Sequence, residues 1–545
     1  MSIFSTGLSG LNAAQNALNT TSNNISNVYT PGYNRELTIL GEGRAGGGVQ
    51  VDDIQRQFNR YVANQLNAAT SSSSALQTYQ TQVSQIDNLL ADREAGLAPL
   101  MQNFFSSLED LASAPSDPAA RQGVLGTADT LSAQFRSFDR YLQDMQQGVN
   151  GQIKDEVTQI NNATGQLAKL NREIALARAR NGDAPNSLLN QRDEAVAELS
   201  ARLDVRLTVQ DGKTYNISLP NGQPLVAGTN AYRLEAIESS SDPQRMVLGY
   251  RDSGGNIVEL KEDVVSGGTL GGLMGFRSET LDKTQNQIGQ LAVSLALGFN
   301  EQHAEGVDLN GDPGEDFFAI GQPQAYANTR NTGTAEITAT RFGNIADLRA
   351  TDYTVRVTDA ATPTFEVVRK DNGQALDAGD VSFDGVSNEL SFGGVVLTVD
   401  DPANLADGDR FEVQPVRRGA GDMESLIGDL DKIAAGEDVG TGDNRNALAL
   451  QELQDRQLVG GNASFSQAYA SMVSDVGNRT NIVQVNLAAQ EGLTEQLQGV
   501  QQSESGVNLD EEAANLIRYQ QYYQANARVI DVGSSILDTI LGLRA

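Results

Sequence analysis

One histidine, His303, and no cysteine stand among 545 residues. A lone imidazole excludes a two-histidine metal site, and any Ser-His-Asp relay would have to be built around His303. Without cysteine there is no thiolate ligand, no disulfide and no cysteine nucleophile. His303 therefore reads as a structural group at a helix end. The run Asp308-Leu309-Asn310-Gly311-Asp312 opens like a calcium loop, because alternate oxygen-bearing side chains can converge on one hard cation. The pattern then fails: Pro313 stands where such a loop needs glycine for its turn, and Ala319 where it needs a bidentate glutamate. A polar loop is expected. Gly46-Gly47-Gly48, and Gly267-Gly268 with Gly271-Gly272, fit neither a Walker loop with its lysine nor the spacing of a dinucleotide fingerprint, so turns and close packing explain them. Asp52-Asp53 and Glu511-Glu512 are paired carboxylates, yet with 70 acidic residues adjacency alone says little. Glu511 and Glu512 suit the N-terminus of a helix, whose dipole favours negative charge. No catalytic, cofactor-binding or metal-binding residue is assigned.

Composition points the same way. Lys and Arg number 39 against 70 acidic residues, a net charge of −31 that repels nucleic-acid phosphates and anionic lipid. No apolar run approaches the roughly 18 residues of a membrane span. Neither a basic residue before Arg35 nor an apolar stretch marks a conventional secretion signal. Nucleic acid and membrane insertion are not expected. One hydrophobic core stops growing at about 250–300 residues, so several domains are expected.

The two ends share one pattern. Residues 1–34 carry no charge, and Phe4, Leu11, Leu18 and Ile25 recur every seven residues. Leu509, Leu516, Tyr523, Ile530 and Leu537 keep that interval at the other end, beside small Ala513, Ala527 and Ser534. These positions predict the seam of coiled-coil-like helices. Further helices are predicted from about Ile54 to Leu90, with Val62, Ala69, Leu76 and Val83 in step, and over 97–112, 119–147, 150–181, 186–202 and 270–300. A last one, Ser464 to Gln502, has Tyr469, Val476, Val483 and Leu497 in its seam, interrupted by Gln490, and is expected to lie along the rod that starts near Ile54.

β structure concentrates in two places. Val205, Leu207 and Val209 alternate, Asp211-Gly212 turns, and Tyr215, Ile217 and Leu219 alternate back. Met246, Leu248 and Tyr250, then Ser253-Gly254-Gly255-Asn256, extend this small element. A second block, 330–418, alternates through Tyr353, Val355, Val357, Phe365, Val367, an Asn372-Gly373 turn, Phe383, Leu390, Phe392, Leu397, Phe411 and Val413. The fold expected is mainly α with β insertions. It comprises a terminal helical coiled-coil domain of residues 1–35 and 508–545, an elongated helical-bundle core of 36–329 and 419–507 with a small β element near 203–262, and an outer β-rich insertion of 330–418.

The segment SNNISNVYTPGYNR, Ser22 to Arg35, resembles the N-terminal motif shared by rod, hook and hook-associated proteins of the bacterial flagellum. Its motif positions are Asn23, Asn24, Asn27, Thr30, Pro31, Gly32, Tyr33 and Arg35. The tail SGVNLDEEAANLIRYQQYYQANARVIDVGSSILDTILGL, Ser505 to Leu543, is similar to the C-terminus of the hook-associated protein 1 family. So are GGTLGGLMGFRSETLD, from Gly267, and FNEQHAEGVDLNGDPGEDFF, from Phe299. The resemblance implies a structural subunit of the hook–filament junction that polymerises without catalysis or cofactor. Its implied partners are copies of itself, hook protein and the next hook-associated junction protein. It also implies passage of the unfolded chain through the flagellar type III export apparatus, a cytoplasmic export chaperone on the C-terminal segment, and residence in the extracellular flagellum. Hook protein or a distal-rod component shares the first motif and the YQANARVI run, and an adhesive module within 330–418 is a further alternative.

Burying apolar side chains along one seam contributes little beside the backbone entropy of ordering both terminal segments. The ends are therefore expected to be mobile in the free subunit and to become helical when neighbouring copies cover their other faces.

Overall fold

The structure, a computed structural model, describes residues 3–43, 47–92, 96–252 and 254–543; Gly46 and Ser253 lie outside them. Helix α1 (Ile3–Ser26) is followed by an antiparallel hairpin of Glu36–Glu42 and Val49–Arg56, with a register shift between Ile39 and Leu40. The helix expected from Ile54 instead begins at Arg60, as α2 (Arg60–Leu90). Asn59 sets that boundary, its Oδ1 accepting the N–H groups of Tyr61 at 3.0 Å and Val62 at 3.3 Å. A cap of this kind satisfies the first orphan donors of a helix and stops it growing backwards. The shortened rod spans about 46 Å at 1.5 Å per residue.

α9 (Phe465–Ser505), capped by Ser464 and Gln467, lies antiparallel along α2. Tyr469 Oη donates to the Leu90 carbonyl at 2.9 Å, and Asn59 Nδ2 to Glu504 Oε2 at 2.7 Å at the opposite end. Gln490, which interrupts the apolar row, donates from Nε2 to the Ala69 carbonyl at 3.2 Å. Polar breaks in a seam are tolerated where the amide finds a partner.

α3 (Leu97–Ser113) precedes α4 (Pro118–Asn181), a single helix about 96 Å long at 1.5 Å per residue where two had been expected. Gly148 stands between the two expected helices, and glycine disfavours a helix interior by about 1 kcal/mol. Packing outweighs this: Val149 and Ile153 are buried, and Asn150 Oδ1 accepts the Met246 N–H at 3.1 Å while its Nδ2 donates to the Gln244 carbonyl at 2.9 Å. α5 (Asn186–Arg202) follows.

The hairpin Arg206–Gln210 with Thr214–Ser218 forms as expected, turning at Asp211 (φ 52°) and Gly212 (φ 67°), the left-handed pair that matches strand twist. A three-stranded sheet of Leu234–Glu238, Met246–Arg251 and Ile257–Glu259 completes the small β element. α6 (Gly268–Phe276), a π turn (Arg277–Leu281) and α7 (Asp282–Ala304) run on as one rod. A side chain at Gly272 would meet the Ala75 carbonyl at 2.4 Å, which explains one of the paired glycines as close packing against α2.

After α7 the chain leaves the helical body and builds two four-stranded antiparallel sheets, then returns through α8 (Arg445–Glu452) to α9. The outer unit starts before 330, because Gln324–Ala327 pairs with Arg410–Gln414. Tyr353, Val355, Val357, Leu390, Phe392, Leu397, Phe411 and Val413 are buried between the sheets. α10 (Leu509–Gly542) closes the chain against α1. No helix among the described residues is long and apolar enough to cross a membrane.

Candidate functional site

The residues that suggested chemistry are absorbed by structure. His303 is fully buried in the last turn of α7. Its Nε2 accepts the Ala434 N–H at 2.9 Å, so Nδ1 carries the proton and donates to the Glu315 carbonyl at 2.7 Å. Burial holds its pKa below the ordinary value, keeping the ring neutral. In the calcium-like loop, Asp308 Oδ1 accepts the N–H groups of Asn310 at 2.8 Å and Asp312 at 2.9 Å. The Lys432 ammonium stands where a cation would, 3.3 Å from Asp308 and 3.1 Å from Asp312.

The terminal helices meet through small residues. α1 presents Gly7, Gly10, Ala14, Ala17, Thr21 and Asn24, all buried and spaced by alternating threes and fours. A side chain at Gly7 would meet Ile530 at 2.7 Å, and one at Gly10 would meet Asn526 at 2.2 Å, so the helices lie closer than larger residues allow. Of the row expected to make this seam, Phe4 packs on Gly533 and Ile530 on Gly7, while Leu11, Leu18 and Ile25 are half-buried at its flank. On α10, Leu516 and Ile530 are half-buried, while Leu509, Tyr523 and Leu537 are exposed. Close approach in this pair is set by the row that lacks large apolar residues. A second row on α10, Tyr522, Val529, Ile536 and Leu543, is exposed along its length, with Val532 and Ile540 beside it.

The N-terminal motif folds into a clasp that ties this pair to the rod. Asn24 is buried; its Nδ2 donates to the Glu36 carbonyl at 2.9 Å, and its Oδ1 accepts the Glu36 N–H at 2.9 Å and the Tyr33 hydroxyl at 2.8 Å. Burial, then the nearby Glu36 and Glu512 carboxylates, pushes the Tyr33 phenol far above its usual range, so it stays a donor. Asn27 Nδ2 donates to the Asn23 carbonyl at 2.9 Å, and Thr30 Oγ1 to Asn27 Oδ1 at 3.1 Å, closing the turn that carries exposed Pro31. Gly32 takes φ 72°, and a side chain there would meet Glu194 of α5 at 2.8 Å.

Arg35 is the centre of the clasp. Its Nε donates to Glu512 Oε1 and its Nη1 to Glu511 Oε2, both at 2.7 Å, while its backbone N–H donates to the Ser505 carbonyl at 2.9 Å. Glu511 and Glu512 do sit in the first turn of α10, as the dipole argument required, but their carboxylates also anchor the other end of the chain. Asn34, Asn190, Arg56 and Asp193 extend the network. Asn34 Nδ2 and Arg56 Nη1 both donate to Asn190 Oδ1, at 2.8 and 3.0 Å, and Arg56 pairs with Asp193 at 2.5 Å. These partners come from α5, more than 130 residues away, and nothing local in the sequence marks them. Arg35 itself is marked, being the first charged residue in the chain.

A model of the flagellar hook-associated protein FlgK helical domain matches residues 83–318, and a D2-like domain of flagellar hook-associated protein 1 matches 326–415. Models of flagellar basal body rod proteins match both ends, 4–34 and 498–543, the two halves of the terminal pair. Flagellar hook-associated protein 1 of Escherichia coli (strain K12) is 44% identical over 563 residues, with 100% of both chains covered. Its counterpart in Bacillus subtilis (strain 168) is 22% identical, covering 97% of this chain and 96% of that one. The solved flagellar hook junction protein FlgK from Burkholderia pseudomallei matches with a TM-score of 0.74 and 28% identity, covering 81% of this chain and 100% of that one. Likeness at this identity from end to end, together with a shared fold, shows that the chain belongs to the flagellar hook-associated protein 1 family.

Proposed function

We propose that this protein is a structural, non-catalytic subunit of the bacterial flagellum that joins hook to filament and assembles through its terminal helices. The observation that carries the reading is the exposed row Tyr522, Val529 and Ile536 on α10, continued by Leu543 just beyond it, which lies beside the stripe Asn526, Ile530 and Gly533 already covered by α1. A helix with an apolar stripe left bare beside a covered one is complete only when a second partner arrives. Copies of the chain supply that partner, with hook protein below and the next hook-associated junction protein above. Phe4 and Ile530 lie within the pair, and Leu11, Leu18, Ile25, Leu509, Leu516, Tyr523 and Leu537 widen the surface that neighbours cover. Arg35 and the clasp hold the pair at a set angle to the rod. The molecule divides into the terminal pair, the helical body and the outer β unit, and the first is the part that neighbours complete.

The family's axial location extends to an export route through the flagellar type III apparatus and an extracellular final position, with a cytoplasmic chaperone shielding the C-terminal apolar rows beforehand. Deleting the gene tests the junction role: hooks are expected to remain while filament subunits leak into the medium. Loss of the hook itself would overturn it in favour of a hook or rod component.

A further inference from the structure

Beneath the outer β unit the charged side chains alternate in an unbroken line. Arg277 pairs with Glu262 at 2.9 Å, Glu262 with Arg245 at 2.6 Å, Arg245 with Asp282 at 2.5 Å, and Asp282 with Arg417 at 3.3 Å. Arg417 then pairs with Asp352. The line crosses three parts of the molecule. Arg245 and Glu262 belong to the small β element, Arg277 and Asp282 bracket the π turn of the rod, and Asp352 opens the strand Tyr353–Asp359 of the outer unit. Arg417 lies on the segment by which the chain returns to the helical body, three residues after the strand Arg410–Gln414. The π turn matters here, because the Asp282 N–H bonds to the Arg277 carbonyl five residues back and so brings both side chains into the line. Arg277 is fully buried and Arg417 nearly so.

Hydrogen bonds flank this line, Gln414 Nε2 donating to Asp242 Oδ2 at 2.9 Å, Gln290 Nε2 to the Leu348 carbonyl at 2.8 Å and Arg349 Nη1 to the Gly460 carbonyl at 2.7 Å, and a further contact in the seat, of Val416 with Val293, is apolar. The return segment lies directly on α7, where a side chain at Gly289 would meet the Val416 carbonyl at 1.7 Å and Val293 packs into the outer core. Beside it opens a groove of about 950 Å³, lined by Asp282, Asn286, Asp352 and Lys370 on one side and by Arg479 and Ile482 of α9 on the other. Apolar contact is non-directional and tolerates rotation. Ion pairs do not: turning the outer unit about the Val416 contact would part Asp352 of the outer unit from Asp282 of the rod, so that Arg417 could no longer reach both and buried charge would be left unpaired.

We propose that this line of ion pairs is an orientation latch, in which the outer β unit pivots on the Gly289–Val416 contact and Arg417, bridging Asp282 and Asp352, holds it at one angle to the rod. Arg417 is thus a positioning residue, and the groove is the space into which the unlatched unit turns.

The chain lacks cysteine, so spin labels at Val386→Cys, an exposed turn of the outer unit, and Leu176→Cys, exposed on α4, report one distance without background. The otherwise unaltered chain is expected to give a single narrow distribution. Arg417→Met keeps the length of the side chain and removes its charge; the distribution should broaden about twofold or split, while circular dichroism is retained. Asp352→Asn, which removes one of the two partners, should broaden it less. If either variant folds and its distribution stays as narrow as the parent's, the latch is refuted. Should Arg417→Met fail to fold, Asp352→Asn decides alone: broadening supports the latch and an unchanged width overturns it.

Discussion

The outer β unit and the terminal helix pair are built on opposite rules. The outer unit encloses Tyr353, Phe392 and Phe411 between two sheets, so its largest apolar groups are spent on its own core. The terminal pair covers Gly7, Gly10, Ala14 and Ala17 and leaves Val529, Ile536 and Ile540 to solvent. A side chain such as Phe gains about 1.5–3 kcal/mol on full burial, and glycine gains none, so the first unit stabilises itself and the second draws its anchorage from a charged clasp. The lesson is that a close helix contact and a strong one are different things. Small residues let α1 and α10 approach, while the energy of holding them is left to Arg35 and to whatever covers the outer rows.

This contrast can be broken in several ways. The largest effect is expected in the outer unit, where Phe411→Ala should cost about 3–5 kcal/mol, read as a lowered denaturation midpoint. If the cost were under 1 kcal/mol, the unit would not be the self-sufficient half. Next, Glu512→Gln removes a buried charged partner of Arg35 and should cost about 1.5–3 kcal/mol in the opening of the terminal pair, leaving the outer unit untouched. Hydrogen exchange resolves the two regions: amides of α1 and of 515–542 should exchange faster than those of Tyr353–Asp359 already in the parent chain, and faster still in the variant. Equal protection of both regions in the dilute parent chain would erase the distinction.

A smaller effect is expected from pH. His303 takes up a proton near pH 6.5 when unfolded but resists it when buried, so stability should be undiminished by this group above that value and should fall as pH drops below it. Comparing thermal midpoints at pH 7.5 and 5.5 in the parent and in His303→Gln isolates the contribution, which the variant should lack. The smallest change in subunit stability, within about 0.5 kcal/mol, is expected from Ile536→Asp on the exposed row. Motility and junction assembly should nonetheless be lost. A variant that assembled normally would remove the reason for leaving that row bare.

Element types were legible because they depend on local periodicity. The long helices from 97, 186 and 464, the Asp211-Gly212 hairpin and the strands through Tyr353 and Phe411 appear where alternation or seven-residue spacing placed them. Boundaries were less so. The strand Val49–Arg56 was hidden because Ile54 continued an apolar spacing that Asn59 interrupts, and α4 passed through Gly148 because partners distant in sequence hold Asn150.

The sequence by itself determined that two uncharged or amphipathic ends would pair as helices, that a β unit would be inserted between helical segments, and that a lone histidine without cysteine excludes a two-histidine or thiolate metal site. Only the tertiary structure decided which row of α1 faces α10, that Arg35 closes on Glu511 and Glu512, that Lys432 occupies the acidic loop, and that Arg417 joins the outer unit to the rod. Periodicity is a property of neighbours along the chain, whereas an ion pair spanning 477 positions is fixed only when separate elements are brought within 3 Å, and no local pattern encodes that meeting.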